Sequence, residues 1–117
     1  MSFKLVHLDD CQTAGNWQLV RRTLELRAFG INVVEIPSGE QIPEHDETDR
    51  DQEEVFYVLS GSPTLVIDGR DHPMPAGTFA RLDPDHSRAL SNGGQEPASV
   101  LIISAPQSSG FQPMDWA

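Results

Sequence analysis

A chain of 117 residues suits one domain with a single modest core and leaves little for a second. Its 18 acidic against 8 basic side chains give a formal net charge of −10, which argues against nucleic acid and anionic membrane surfaces as partners. The hydrophobic share of 38% is too high for a disordered chain, and no apolar run approaches the ~20 residues that cross a bilayer.

The first ten residues lack a basic region followed by a long apolar stretch, so no signal peptide is expected and the cytoplasm is the expected compartment. The lone Cys11 cannot form an internal disulfide and reads as a small buried or half-buried residue. His7 and His72 are expected at the surface. In Asn16–Arg27, Trp17, Val20 and Leu24 fit a helical face while Leu24, Leu26 and Ala28 alternate, which predicts an irregular or short helical lead-in to a strand.

Strand signals dominate from there. Ala28–Ile36 is rich in β-branched residues and stops at Pro37-Ser38-Gly39. Val55–Leu59 ends at Ser60-Gly61. Thr64–Ile67 runs into Asp68-Gly69, a pair suited to a type I′ hairpin because both positions need positive φ. The return strand begins at Arg70 and ends before Pro75-Ala76-Gly77. Phe79–Leu82, His86–Ser91 and Ala98–Ser104 follow, separated by Asp83-Pro84-Asp85 and Asn92-Gly93-Gly94. Six or seven short strands with turn signals about every 8 to 12 residues predict an all-β sandwich or barrel. The tail from residue 107 is too polar for a strand, but Phe111, Met114 and Trp116 suit an arm packed on the body or on a partner chain. Trp17 and Trp116 read as core or interface residues.

Residues 40–54 hold eight of the 18 acids. One reading is a hydrated acidic loop. The other follows from the pleat: in an extended segment His45 and Glu47 share a face, and Glu54 lies where a loop enters the apolar run Val55–Leu59. An imidazole and carboxylates brought together form a mixed N/O set suited to Fe(II), Mn(II), Zn(II) or Ni(II).

Gly39-x5-His45-x-Glu47 followed by Glu54-x6-Gly61 resembles the first motif of the cupins, G-x5-H-x-H-x3-4-E-x6-G. Gly69-x5-Pro75-x-Gly77 resembles the opening of their second motif, G-x5-P-x-G-x2-H-x3-N. The resemblance implies an all-β double-stranded β-helix (jelly-roll) barrel spanning about residues 28–105. The whole chain is then a single domain with a short N-terminal lead-in and a C-terminal tail. It further implies a site inside the barrel for a divalent metal (Fe, Mn, Zn or Ni) and a small-molecule ligand, and a homodimer. Cupins include dioxygenases, isomerases, decarboxylases and members without catalysis. The expectation is therefore a metal-binding barrel, with a metal-dependent dioxygenase or isomerase activity if it is an enzyme. The alternative is a metal-free small-molecule-binding or structural module.

Three departures bear on the site. Glu47 stands where the motif has its second histidine. The gap from Glu47 to Glu54 is longer than usual, at a small cost in loop closure. In the second motif the ligand place falls on Ala80 counted from Gly77, or on Arg88 counted back from Asn92, with His86 on the same face as Arg88 if one strand holds both. With His86 as ligand, the metal set is His45, Glu47, Glu54 and His86. With Arg88 turned inward, its fixed cation opposes a metal and favours Glu54 or an anionic ligand. Tyr57 and Arg88 are the candidate contacts to a bound small molecule. Phosphate-binding glycine loops, G-x-S-x-G and C-x-x-C pairs are absent from the sequence.

Overall fold

A computed structural model describes residues 2–117. Its strands are β1 (Thr13–Ala14), β2 (Trp17–Gln18), β3 (Gly30–Ile36), β4 (Gln41–His45), β5 (Gln52–Ser60), β6 (Thr64–Ile67), β7 (Arg70–Pro73), β8 (Phe79–Leu82), β9 (Arg88–Ser91) and β10 (Ala98–Pro106). One short helix, α1 (Val20–Leu24), forms the lead-in, as its mixed periodicity predicts. Two antiparallel sheets result, six strands in the order β1-β2-β3-β10-β5-β8 and four in the order β4-β9-β6-β7. They face each other as a double-stranded β-helix. No helix among the described residues is long and apolar enough to cross a membrane.

Alternation along the strands builds the interior. Val34 and Ile36 on β3, Phe56 and Val58 on β5, and Val100 on β10 point inward from the larger sheet. Leu65 on β6 and Leu90 on β9 meet them from the smaller one, with Met74 and Leu82 closing the core. Each such side chain contributes about 1.5–3 kcal/mol on burial. The Asp68-Gly69 turn has the two positive φ values expected of it, 50° and 80°.

The structure corrects several boundaries. At the start of the lead-in expected over Asn16–Arg27, β2 is a strand that pairs with β1 just before it and adds to the larger sheet through Trp17↔Val34. β4 lies inside the acidic segment, whose polar composition hides it. The strand expected at His86 begins only at Arg88. Cys11 is buried, and His7 and His72 are exposed, as expected. The tail does not pack as an arm on its own body: Trp116 is 83% exposed and is not a core residue, and Phe111 and Met114 are exposed with it.

Candidate functional site

A cavity of about 240 Å³ opens between the sheets. Trp17, Ile42, Phe56, Leu90 and Ile102 form its apolar wall, and His45, Glu47, Glu54, Asn32, Ser104 and Arg50 its polar end. The pairing register explains the polar part. Gly30, Ser104, Glu54 and Leu82 form one cross-strand row, and Asn32, Ile102, Phe56 and Ala80 the next, both on the inner face.

His45 reaches the cavity through an irregularity in β4. Ile42 pairs with Leu90 and His45 with Arg88, so two residues, Pro43 and Glu44, stand opposite Ala89 alone. In an even strand, residues three apart face opposite sides; the bulge returns both Ile42 and His45 to the cavity. The ring is then fixed by Nδ1, which lies 3.2 Å from the Pro43 carbonyl. With Nδ1 turned to that carbonyl, Nε2 faces the cavity and sits 3.4 Å from a Glu47 oxygen.

Glu47 arrives by a route the pleat argument misses. The strand has ended, and Glu47 precedes a 3₁₀ turn over Thr48–Arg50 that closes at Asp51 in the left-handed region. This turn absorbs the long gap before Glu54. The Glu47 backbone N–H donates to the Pro84 carbonyl at 2.9 Å, tying it to the β8–β9 loop. One donor atom each from His45, Glu47 and Glu54 fall within 4.8 Å of one another.

Arg88 occupies the inward place on β9. Its side chain is 1% exposed, and Nη1 donates to Glu54 Oε1 at 2.8 Å. Nε donates to the His86 carbonyl at 3.0 Å, and Nη2 donates to the Asp83 carbonyl. A guanidinium with all three nitrogens engaged, one by a carboxylate, meets the conditions for a buried charge. It lies behind Glu54 and does not line the cavity.

His86 is not brought to the other three candidate ligands. It precedes β9, is half exposed, and holds Asp68 Oδ2 through Nδ1 at 2.7 Å. The physical reason is the late start of β9: the inward register position belongs to Arg88, and the Asp68 carboxylate at the β6–β7 turn takes the imidazole. That hydrogen bond is the main cause of the raised His86 pKa and of the lowered Asp68 pKa. Tyr57 also stays outside the cavity. It lies on the outer face of the larger sheet against Phe79, ring centroids 4.2 Å apart, while its neighbour Phe56 points inward. The polar residues that sequence reasoning passes over are Asn32, Ser104 and Arg50. The alternation with Val34 and Ile36 is the signal that places Asn32 inside.

The donors present, one imidazole nitrogen and carboxylate oxygens, fit a borderline or hard divalent ion and not a thiolate-seeking one. Glu54 retains one oxygen for such a role, since Arg88 holds the other.

Comparison with known proteins agrees with this fold. A cupin protein from Bacteroides fragilis matches with TM-score 0.82 at 20% identity, covering 99% of this chain and 93% of its own. A predicted oxalate decarboxylase from Thermotoga maritima matches with TM-score 0.61 at 22% identity, over 66% of this chain and 65% of its own. A sugar phosphate isomerase of the cupin superfamily from Silicibacter pomeroyi matches with TM-score 0.68 at 23% identity, over 80% of this chain and 61% of its own. At these identities the likeness shows the fold alone. No functionally curated protein matches the chain. The cupin domain family matches residues 32–104, a stretch that begins within β3, ends within β10 and includes His45, Glu47 and Glu54, so this chain belongs to the cupin family.

Proposed function

We propose that this barrel holds a divalent metal ion through His45, Glu47 and the free oxygen of Glu54, and presents it to a small molecule in the cavity. The observation that carries the reading is the convergence of the three donors within 4.8 Å, with His45 oriented by the Pro43 carbonyl. When bound, such an ion supplies Lewis acidity or activation of oxygen. The chain's own residues supply the rest. Arg88 fixes one Glu54 oxygen and lowers the net negative charge at the donors. Glu47 stands at the polar end, where its carboxylate can also accept a proton from a bound molecule. Trp17, Ile42 and Ile102 exclude water from the inner wall. The names borne by two of the structural relatives, a predicted oxalate decarboxylase and a sugar phosphate isomerase, suit a small oxygen-rich ligand.

A second reading, a metal-free binding module, is favoured by one observation, the Arg88 cation held against Glu54. Elemental analysis of protein purified without a metal-affinity tag separates the two. Near-stoichiometric Fe, Mn, Zn or Ni, lost together with thermal stability in His45→Ala, supports the metal reading. Trace metal, with no rise in melting temperature on adding each ion, overturns it in favour of the second.

A further inference from the structure

Three of the eight basic residues, Arg21, Arg27 and Arg50, border a single groove of about 470 Å³. In a chain of net charge −10 this concentration runs against the overall balance. The groove adjoins the barrel cavity, and Gly30, Arg50 and Ser104 line both. We propose that this groove binds an oxyanion, carboxylate or phosphate, carried by a small molecule whose remainder reaches into the cavity.

The local structure keeps these guanidinium groups available. Arg21 is oriented by one donor, Nη1 to the Leu26 carbonyl at 3.1 Å. The chain then turns at Glu25, whose φ of 59° ends α1 and brings residues 26–29 to the groove. Glu25 is the sole acid between residues 11 and 29, and its carboxylate is engaged by Lys4 at 3.4 Å. Arg27 makes no ion pair among the described residues. Arg50 approaches Glu47 through Nε alone, at 3.8 Å.

Planar forks of which only Arg50 meets a carboxylate, and that through one nitrogen, match an oxyanion bidentately. The carboxylates Glu47 and Glu54 lie at the cavity side, so the anionic end belongs on the arginines and the rest of the molecule inward. Only this second half rests on the reading of the cavity as a ligand chamber; the groove stands on its own residues.

The test is an amide-shift titration of metal-free protein with sodium phosphate, and separately with sodium acetate, at constant ionic strength set with chloride. Saturable shifts at Arg27, Gly30 and Ser104 are expected, weakened about fivefold or more by Arg27→Gln, less by Arg27→Lys, and unchanged by Arg70→Gln on β7. Saturation by phosphate alone assigns a phosphate ligand, and saturation by acetate as well assigns the wider oxyanion class. Shifts that never saturate, equal those of chloride, or survive both Arg27→Gln and Arg27→Glu overturn the proposal. The same titration on His45→Ala separates the two sites. Retained binding upholds the groove even where the metal reading fails. Binding that occurs only in metal-loaded protein places the anion on the ion and overturns the groove.

Discussion

Arg88 and Glu54 join the two sheets across the interior of the barrel, one from the smaller sheet and one from the larger, Nη1 to Oε1 at 2.8 Å. Both are largely out of water, Arg88 with a side chain 1% exposed and Glu54 with one 10% exposed at the cavity wall. Removing one partner leaves the other as an unpaired buried charge, which typically costs about 3–5 kcal/mol. Arg88→Met is therefore expected to lower the melting temperature by about 10–20 °C. The double variant Arg88→Met with Glu54→Leu should recover most of that loss, because replacing both ions by apolar groups removes the desolvation penalty. Thermal and urea unfolding of the four proteins of this cycle measure the coupling; additive losses would contradict it.

The Asp68–His86 pair makes stability depend on pH in a defined direction. Its hydrogen bond raises the His86 pKa and lowers that of Asp68. The contribution of His86 is full below its unfolded pKa of about 6.5 and is lost as pH rises through the raised folded value. The contribution of Asp68 is present above its unfolded pKa of about 3.9 and is lost as pH falls through the lowered folded value. The melting-temperature difference between the wild-type chain and His86→Gln should thus be larger near pH 5.5, about one unit below the unperturbed imidazole pKa, than near pH 9, well above it. Both side chains are about half exposed, so the effect is small and shrinks with added salt. A difference that stays flat across this range would show that the pair is uncoupled from folding.

Gly61 and Gly39 have the same left-handed φ, 82° and 81°, in unlike surroundings. A Cβ at Gly39 meets nothing within 4 Å, whereas one at Gly61 would lie 2.7 Å from the Ala98 Cα and 2.8 Å from the Pro97 carbonyl oxygen. Gly39→Ala is expected to cost about 1–2 kcal/mol for the backbone alone. Gly61→Ala should cost about 1–3 kcal/mol beyond that, because the obstacle is main chain and cannot rotate away. Equal losses in urea unfolding would mean that β10 moves aside freely.

The barrel was legible in the sequence because its strands carry apolar alternation and its turns carry residues with one use. Asp68-Gly69 is such a turn, and Thr64–Ile67 is observed with the bounds read from the sequence. Legibility ended where side-chain chemistry overrides pattern. β4 reads as a polar loop because only Ile42 faces the core and Pro43 interrupts the pairing. His45 and Glu47 do meet, but through a bulge and a 3₁₀ turn that spacing cannot reveal. Between His86 and Arg88 the sequence left two registers open. A strand beginning two residues later than expected decided it, burying the cation and leaving the imidazole on Asp68.

The loop Asp83–Ser87 contributes no donor to the cavity, yet it holds two of the donors in place. The Pro84 carbonyl secures the backbone of Glu47, and the carbonyls of Asp83 and His86 hold Arg88, which holds Glu54. The separation of the two carboxylates is therefore set by a ruler outside the chamber. One residue added to or removed from this loop would cost little in chain entropy but would slide one carbonyl relative to the others. Under the proposed metal reading, the fit to an ion of given radius would thus be retuned at the surface, with every residue of the chamber unchanged.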